Sequence, residues 1–384
     1  MKLLFASDSF KGSLSSAETI KLLGRAAEEV FGDVEYSGVA VADGGEGTVD
    51  AVVQAGGGSL VTARVCGPLM SMVDAGYGIL PGGRAVIEMA AASGLTLISE
   101  EERDPLKTTS RGTGELILDA LERGCRDISV AIGGSATNDG GMGCAAALGI
   151  RFLDEDGCEL AGTGADLERV RSIDMSGLDK RAADAKFTVM CDVSNPLCGE
   201  NGATYTFGAQ KGASAEALGR LDAGMCNYRD VIKRQFGADA DKIAGAGAAG
   251  GLGAALSVFL NGEMRSGIET VLDLIDFDKR LGDADLVVTG EGSTDWQSCF
   301  GKVMQGVGER AKAHGVPAVG LCGSLGRGAE DIFDHGIASL MTAVDAPTSL
   351  NEALDNAEEL YYLAAIRMFR FIKAGMDIPH RTRT

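Results

Sequence analysis

The chain has 384 residues, 45% of them hydrophobic and 23% charged, the make-up of an ordinary globular protein and more chain than one core usually organises, so two domains are expected. A formal net charge of −20 argues against nucleic acid or an anionic membrane surface as partner, and no apolar run approaches the ~18 residues of a membrane span. Nine irregularly spaced cysteines without a CxxC pair fit neither a disulfide frame nor a zinc knuckle, and point to a reducing cytoplasm. The apolar run after Met1 meets Asp8 too early for a signal peptide, so the chain reads as mature from its first residue.

In chain order, KLLFASD (2–8) predicts a buried strand ending at Asp8, followed by a loop with Lys11 and Gly12. Ser15 and Glu18 form a capping box, and Ile20, Leu23, Ala27, Val30 and Phe31 give the next helix one apolar stripe. Asp8 and Lys11 thus stand where open α/β sheets bind ligands, at the carboxyl end of a strand. A second strand is expected at 34–42, then the loop Asp43-Gly44-Gly45-Glu46-Gly47 and a helix from Thr48. Its two carboxylates suit a metal, or equally a helix start that favours acidic residues. From 59 to 97 three strand-like runs follow one another, which implies antiparallel pairing and entry into a second domain. The segment 108–124 predicts a helix stopped at Gly124, with Ser110 and Arg111 at its start as candidate substrate or phosphate contacts. Arg111 could clamp a carboxylate or phosphate bidentately, or form only a surface ion pair.

The stretch 128–149, ISVAIGGSATNDGGMGCAAALG, carries the strongest local signal. A short buried strand leads into a loop at 133–141 and then a run of small residues with helical character. Bare backbone N–H groups in such a loop can surround an anion, whereas the plainer alternative is a tight turn. Gly134, Ser135, Asn138 and Asp139 belong to this loop. Beyond it, FTVMCDV delivers Asp192 and Asn195 at a strand end, Lys211 follows, and 214–236 is an amphipathic helix whose stripe is core. A GxGxxG at Gly245, Gly247 and Gly250 has no strand before it, so a dinucleotide fold is rejected on context. The strand–helix rhythm returns at DLVVTGEG, with Glu291 and Asp295 in the loop after it and Lys302 at a helix start. Strands near 2, 36, 285, 317 and 338 are expected to form one parallel sheet, interrupted by an insertion. The predicted division is 1–58 with 281–384, and 59–280.

DSFKGSLSS, ADGGEGT, TSRGTGELI, IGGSATNDGGMG, CDVSNPLCGENGAT, FGAQKGA, GAAGGLGAAL and the TGEG segment, in this order over nearly the whole chain, resemble the type I glycerate kinases. The resemblance implies ATP- and Mg²⁺-dependent phosphorylation of D-glycerate, most often at the 2-hydroxyl. It also implies a flavodoxin-like domain with a second mixed α/β domain inserted, and a cleft between them. The family usually has Arg, Thr and Pro where this chain has Ser293, Ser298 and Ala209.

The chemistry is consistent with the resemblance. Phosphoryl transfer needs positioning, hard-cation ligands, positive charge against the phosphates and an acceptor for the hydroxyl proton. No GxxxxGK[ST] is present, so no Walker loop serves. Oxygen ligands are available at Asp8, Asp43, Glu46, Asp139, Asp192, Glu291 and Asp295, and cations at Lys11, Arg111, Lys211 and Lys302. His314, His335 and His380 lie outside the glycine loops, so a carboxylate is the expected proton acceptor, either Asp192 or Asp295. Phosphorylation at the 3-hydroxyl, or of a related small hydroxy acid, is the alternative reaction. A non-catalytic sensor of an organic anion is the alternative class, though it would not need so many metal-type carboxylates. Homo-oligomers are compatible with all of these.

Overall fold

The apolar runs that open and close the chain come together in one sheet. In the computed structural model, which describes residues 1–378, the strands Lys2–Ser7, Glu35–Gly38, Leu286–Gly290, Ala318–Cys322 and Ile337–Thr342 pair throughout in parallel. Numbered within this sheet, their spatial order is 2-1-3-4-5, the flavodoxin-like doubly wound arrangement. Leu286–Gly290 is buried along its whole length, as a strand covered on both faces must be. Glu35–Gly38, exposed at every residue, is the edge. It is shorter than the expected 34–42, yet Val39 and Val41 still donate backbone hydrogen bonds to Phe5 and Ser7, so the chain stays extended beside the first strand. Ser15 and Glu18 form the predicted capping box of the helix Ser16–Phe31. That helix shares one core with the C-terminal helix Ala357–Met376, through Leu22, Leu23, Ala26, Tyr361, Ala365 and Phe369. His380 lies outside the described residues.

The chain divides into two units, Met1–Asp43 with the segment from Val271 onward, and Gly44–Thr270. Both breaks come earlier than the expected 58/59 and 280/281. The helix Thr48–Gly56 belongs to the second unit because its Val49 and Val53 pack against Gly78, and Val49 N donates to the Glu88 carboxylate at 2.8 Å. Residues after 270 belong to the first because Arg310, on the helix Val303–Ala313, holds Asp273 at 2.7 Å and Asp278 at 2.8 Å.

The second unit has a mixed six-stranded sheet, in the order Glu263–Arg265, Lys186–Met190, Asp127–Ala131, Arg84–Glu88, Met72–Leu80, Ser59–Cys66. The last three strands pair antiparallel, as the unbroken strand run predicts. Arg84–Glu88 is also parallel to Asp127–Ala131, so the sheet changes direction there. The strand ends at Glu88 and a helical turn Ala90–Ser93 takes over, which the alanine run favours.

The GxGxxG segment has a packing role. Ala249, Gly250 and Gly251 all have positive φ before the helix Leu252–Leu260, and a Cβ on Gly250 would lie 2.1 Å from the Thr137 carbonyl. Gly250 O accepts from Gly140 N at 2.8 Å, so this turn lies directly against the 133–141 loop. Gly250→Ala should therefore destabilise the protein by ~1–3 kcal/mol, from overpacking and a left-handed backbone together. Urea unfolding measures it, and an unchanged midpoint would contradict the close approach.

Candidate active site

In the first unit, register sets the geometry. Ser7 pairs with Gly290, so the two strands end side by side with Asp8 and Glu291 as the next residues. This is the point where the strand order reverses, the crevice in which doubly wound sheets take their ligands. A cavity of about 520 Å³ opens there, and its lining includes Asp8, Lys11, Asp43, Glu291, Ser293 and Lys302. Lys11 stands at the tip of a tight turn in which Phe10 N donates to Leu14 O and Gly12 has φ +82°. Lys302 precedes the helix Val303–Ala313 as its N-cap residue.

The charges strain one another. Burial and the neighbouring Asp43 carboxylate push the Asp8 carboxyl up to about 6, against the pull of the Ser9 backbone N–H and Lys11. Ser9 N donates to Asp8 Oδ1 at 2.7 Å and so orients the group. Burial also raises Glu291, while the Ser298 hydroxyl and Lys302 pull it down. Glu291 Oε1 accepts from Ser298 Oγ, and from Thr294 Oγ1 at 3.1 Å. Serine in place of threonine at 298 therefore keeps the hydroxyl that matters. At 293 the exchange is a loss of charge: the Ser293 hydroxyl accepts from Ser324 Oγ at 3.2 Å.

Asp295 does not line this cavity. Its Oδ1 accepts from Gln297 N at 2.8 Å, capping the turn Trp296–Cys299. Among the described residues no three His, Cys, Asp or Glu side chains form a ready-made metal cage.

In the second unit the glycine loop is held from beneath. Asp139, expected among the metal ligands, is fully buried and spends its oxygens on the protein. It accepts from Ser110 N and Ser110 Oγ at 2.7 Å each, from Gly141 N at 3.0 Å and from Gly143 N at 3.2 Å. Asp139 is therefore a staple between the loop and the start of the helix Arg111–Glu122, and the metal assignment is corrected. Ser110, expected to touch substrate, is its partner. Lys211, also expected to face a ligand, is 1% exposed and donates to Ser135 Oγ at 2.8 Å and Thr137 O at 2.7 Å. Burial lowers its ammonium to about 7, with Asp139 opposing the shift.

Asn138 is buried and donates to Thr204 Oγ1 at 3.0 Å. A Cβ on Gly140 would meet the Tyr228 ring at 2.6 Å, so this glycine is needed for packing. The exposed part of the loop is Gly133 and Gly134, which narrows any anion contact to that edge.

The remaining candidates are spread out. Arg111 pairs with Glu115 one helical turn on, at 3.1 Å, as in the plainer of its two expected roles. Asp192 is exposed and accepts from Gly267 N at 3.0 Å. Asn195 braces its own loop through Asn201 O at 2.8 Å. Glu46 is exposed and falls in the second unit, whereas Asp43 falls in the first. Sequence reasoning missed two things: that Asp8 is the carboxyl pushed toward neutrality, and that Ser110 and Asp139, 29 positions apart, are one device. Asp139→Ala should cost ~2–4 kcal/mol of stability, because it leaves several buried donors unpaired. Denaturant unfolding checks this, and a loss below about 1 kcal/mol would remove the staple.

Comparison with known proteins agrees with this architecture. The model of the glycerate kinase family matches residues 3–373. The chain is 46% identical to glycerate 2-kinase of Escherichia coli (strain K12) over 98% of this chain and 99% of that one. It is also 46% identical to glycerate kinase of Bacillus subtilis (strain 168), over 94% of each. A crystal structure of a protein from Salmonella typhimurium LT2 assigned as a glycerate kinase 2 superposes with a TM-score of 0.89 at 44% identity, covering 98% of this chain and 100% of that one. No helix among the described residues is long and apolar enough to cross a membrane. With its ordered motifs, its flavodoxin-like sheet and its inserted mixed sheet all accounted for in this way, the chain belongs to the glycerate kinase family.

Proposed function

We propose that this protein transfers the terminal phosphoryl group of ATP to D-glycerate at its 2-hydroxyl, giving 2-phosphoglycerate and requiring Mg²⁺. The observation that carries the proposal is the cavity in which Asp8, Asp43 and Glu291 meet Lys11 and Lys302. Phosphoryl transfer asks a protein for little covalent chemistry and much electrostatic positioning. The two lysines set positive charge against the phosphates, which a chain of net charge −20 can do only locally.

Asp43 and Glu291 would hold the metal. Mg²⁺ is usually bound by one or two carboxylates with phosphate oxygens and water, so a pair of acidic groups without a full protein cage suits it. Bound there, the ion would neutralise charge on the phosphoryl oxygens. Asp8, with its carboxyl near 6, is a stronger base than an ordinary aspartate and still mostly ionised at neutral pH. It is the better acceptor for the hydroxyl proton, and replaces Asp192 and Asp295 in that role. The 2-hydroxyl is favoured by the relative named glycerate 2-kinase.

Phosphorus NMR of the product made from ATP, Mg²⁺ and D-glycerate tests the reaction. A 3-phosphoglycerate signal would overturn the choice of hydroxyl, and no ADP with any small hydroxy acid would overturn ATP as donor. Lys11→Met or Lys302→Met should lower kcat/KM at least ~10-fold, the effect of losing one charge-assisted contact. Full activity in both would remove the lysines from the site.

Asp8→Asn should lower kcat by ~10²–10⁴-fold. Without ligands it should also shift the pH dependence of stability. The folded carboxyl near 6 lies above the unfolded value of 3.8, so ionisation costs the native state stability as pH rises from about 4 to about 6. The melting temperature of Asp8→Asn relative to wild type should climb across that window and level off above it. A flat difference would contradict the raised carboxyl.

A further inference from the structure

The lining of the first unit's cavity is of two kinds. One is the charged set described above. The other is apolar, Phe10 and Leu14 from the first loop with Ala353, Leu354, Ala357 and Leu360. The last four come from the helices Leu350–Asp355 and Ala357–Met376, which are separated only by Asn356. The leucines of the shorter helix are uncovered: Leu350 is 73% exposed and Leu354 37%. A lone exposed leucine needs no explanation, but two on one short helix, lining a cavity that also holds two lysines, form a surface suited to a ligand.

Glycerate cannot match this compartment, since it is three carbons bearing a carboxylate and two hydroxyls. A molecule with a polyanionic chain at one end and a flat, weakly polar ring at the other matches both parts of the lining. The acidic residues Asp355, Glu358 and Glu359 on the same helices are exposed and would repel phosphates, so the anionic chain must point the other way, toward Lys11 and Lys302. Resting on the reading that ATP is the donor, we infer that its adenine ring lies against the wall formed by Ala353, Leu354 and Ala357. The C-terminal helices then supply the nucleotide's base site, and the loops at the strand ends supply its phosphate site.

Ala353 and Ala357 are half-buried and both line the cavity, so a larger side chain at either takes up cavity space, while Ala357 also packs against the core of this unit. The test is calorimetric titration of wild type, Ala357→Trp and Leu354→Gln with ADP and, separately, with inorganic tripolyphosphate, which has the charge but no ring. Wild type should bind both. Ala357→Trp should weaken ADP by ~10-fold or more and leave tripolyphosphate within about twofold, and the milder Leu354→Gln should do the same by ~3-fold. Leu354→Gln carries the test if Ala357→Trp fails to fold, judged by its melting temperature. Unchanged ADP binding in a folded variant would overturn the base site while leaving the kinase reading intact, and equal weakening of both probes would also overturn it. Wild type binding neither probe would overturn the kinase reading and this placement together.

Discussion

The register of the pair Lys2–Ser7 and Leu286–Gly290 leaves Asp8 and Glu291 at neighbouring strand ends, and most of the first unit's chemistry follows from that juxtaposition. Parallel strands carry their carboxyl ends on one edge, and the reversal of strand order opens a crevice between the two connections that leave it. Asp43 joins from the chain that continues beside the first strand, and three acidic groups then share one cavity. Like charges at short range in a partly desolvated site cannot all ionise freely. Asp8 absorbs most of the cost, through burial first and Asp43 second. Glu291 is kept ionisable by hydroxyls from Thr294 and Ser298 and by Lys302. Carboxyls crowded and raised in this way mark a candidate functional site.

The second unit solves a different problem, that of holding a glycine-rich loop in one conformation. Glycines give the backbone freedom that must be removed again in the folded state. Here a buried carboxylate removes it: the four donors gathered by Asp139 fix the loop to the start of the helix Arg111–Glu122, and Lys211 fixes it from the other side through Ser135 and Thr137. The turn at 248–251 closes the packing by lying directly on the Thr137 and Gly140 backbone. Buried charges of this kind are tolerated because each is surrounded by partners. They leave Gly133 and Gly134 as the exposed edge of the loop.

Much of this was legible in the sequence, and the division has a physical basis. Periodicity and caps are local, so the five parallel strands, the capping box at Ser15, the helix Ala215–Phe236 and the insertion itself could be read from short windows. The ordered motifs likewise pointed to the family, since each is a few adjacent residues. Site roles were less legible. Asp8, Asp139, Asp192 and Asp295 look alike in sequence, each an acidic residue in a loop near glycine or a strand end. Burial and partners separate them: Asp8 is crowded by Asp43, Asp139 is buried under four donors, Asp192 caps Gly267, and Asp295 caps its own turn. Lys11 and Lys211 show the same contrast, one exposed in the cavity and one sealed beneath a loop. The sequence by itself determined the elements and the family, because hydrophobic period and backbone chemistry act between near neighbours. Only the tertiary structure decided which charges line the cavity and which are staples, because a side chain's solvation and pKa depend on residues brought beside it from distant parts of the chain.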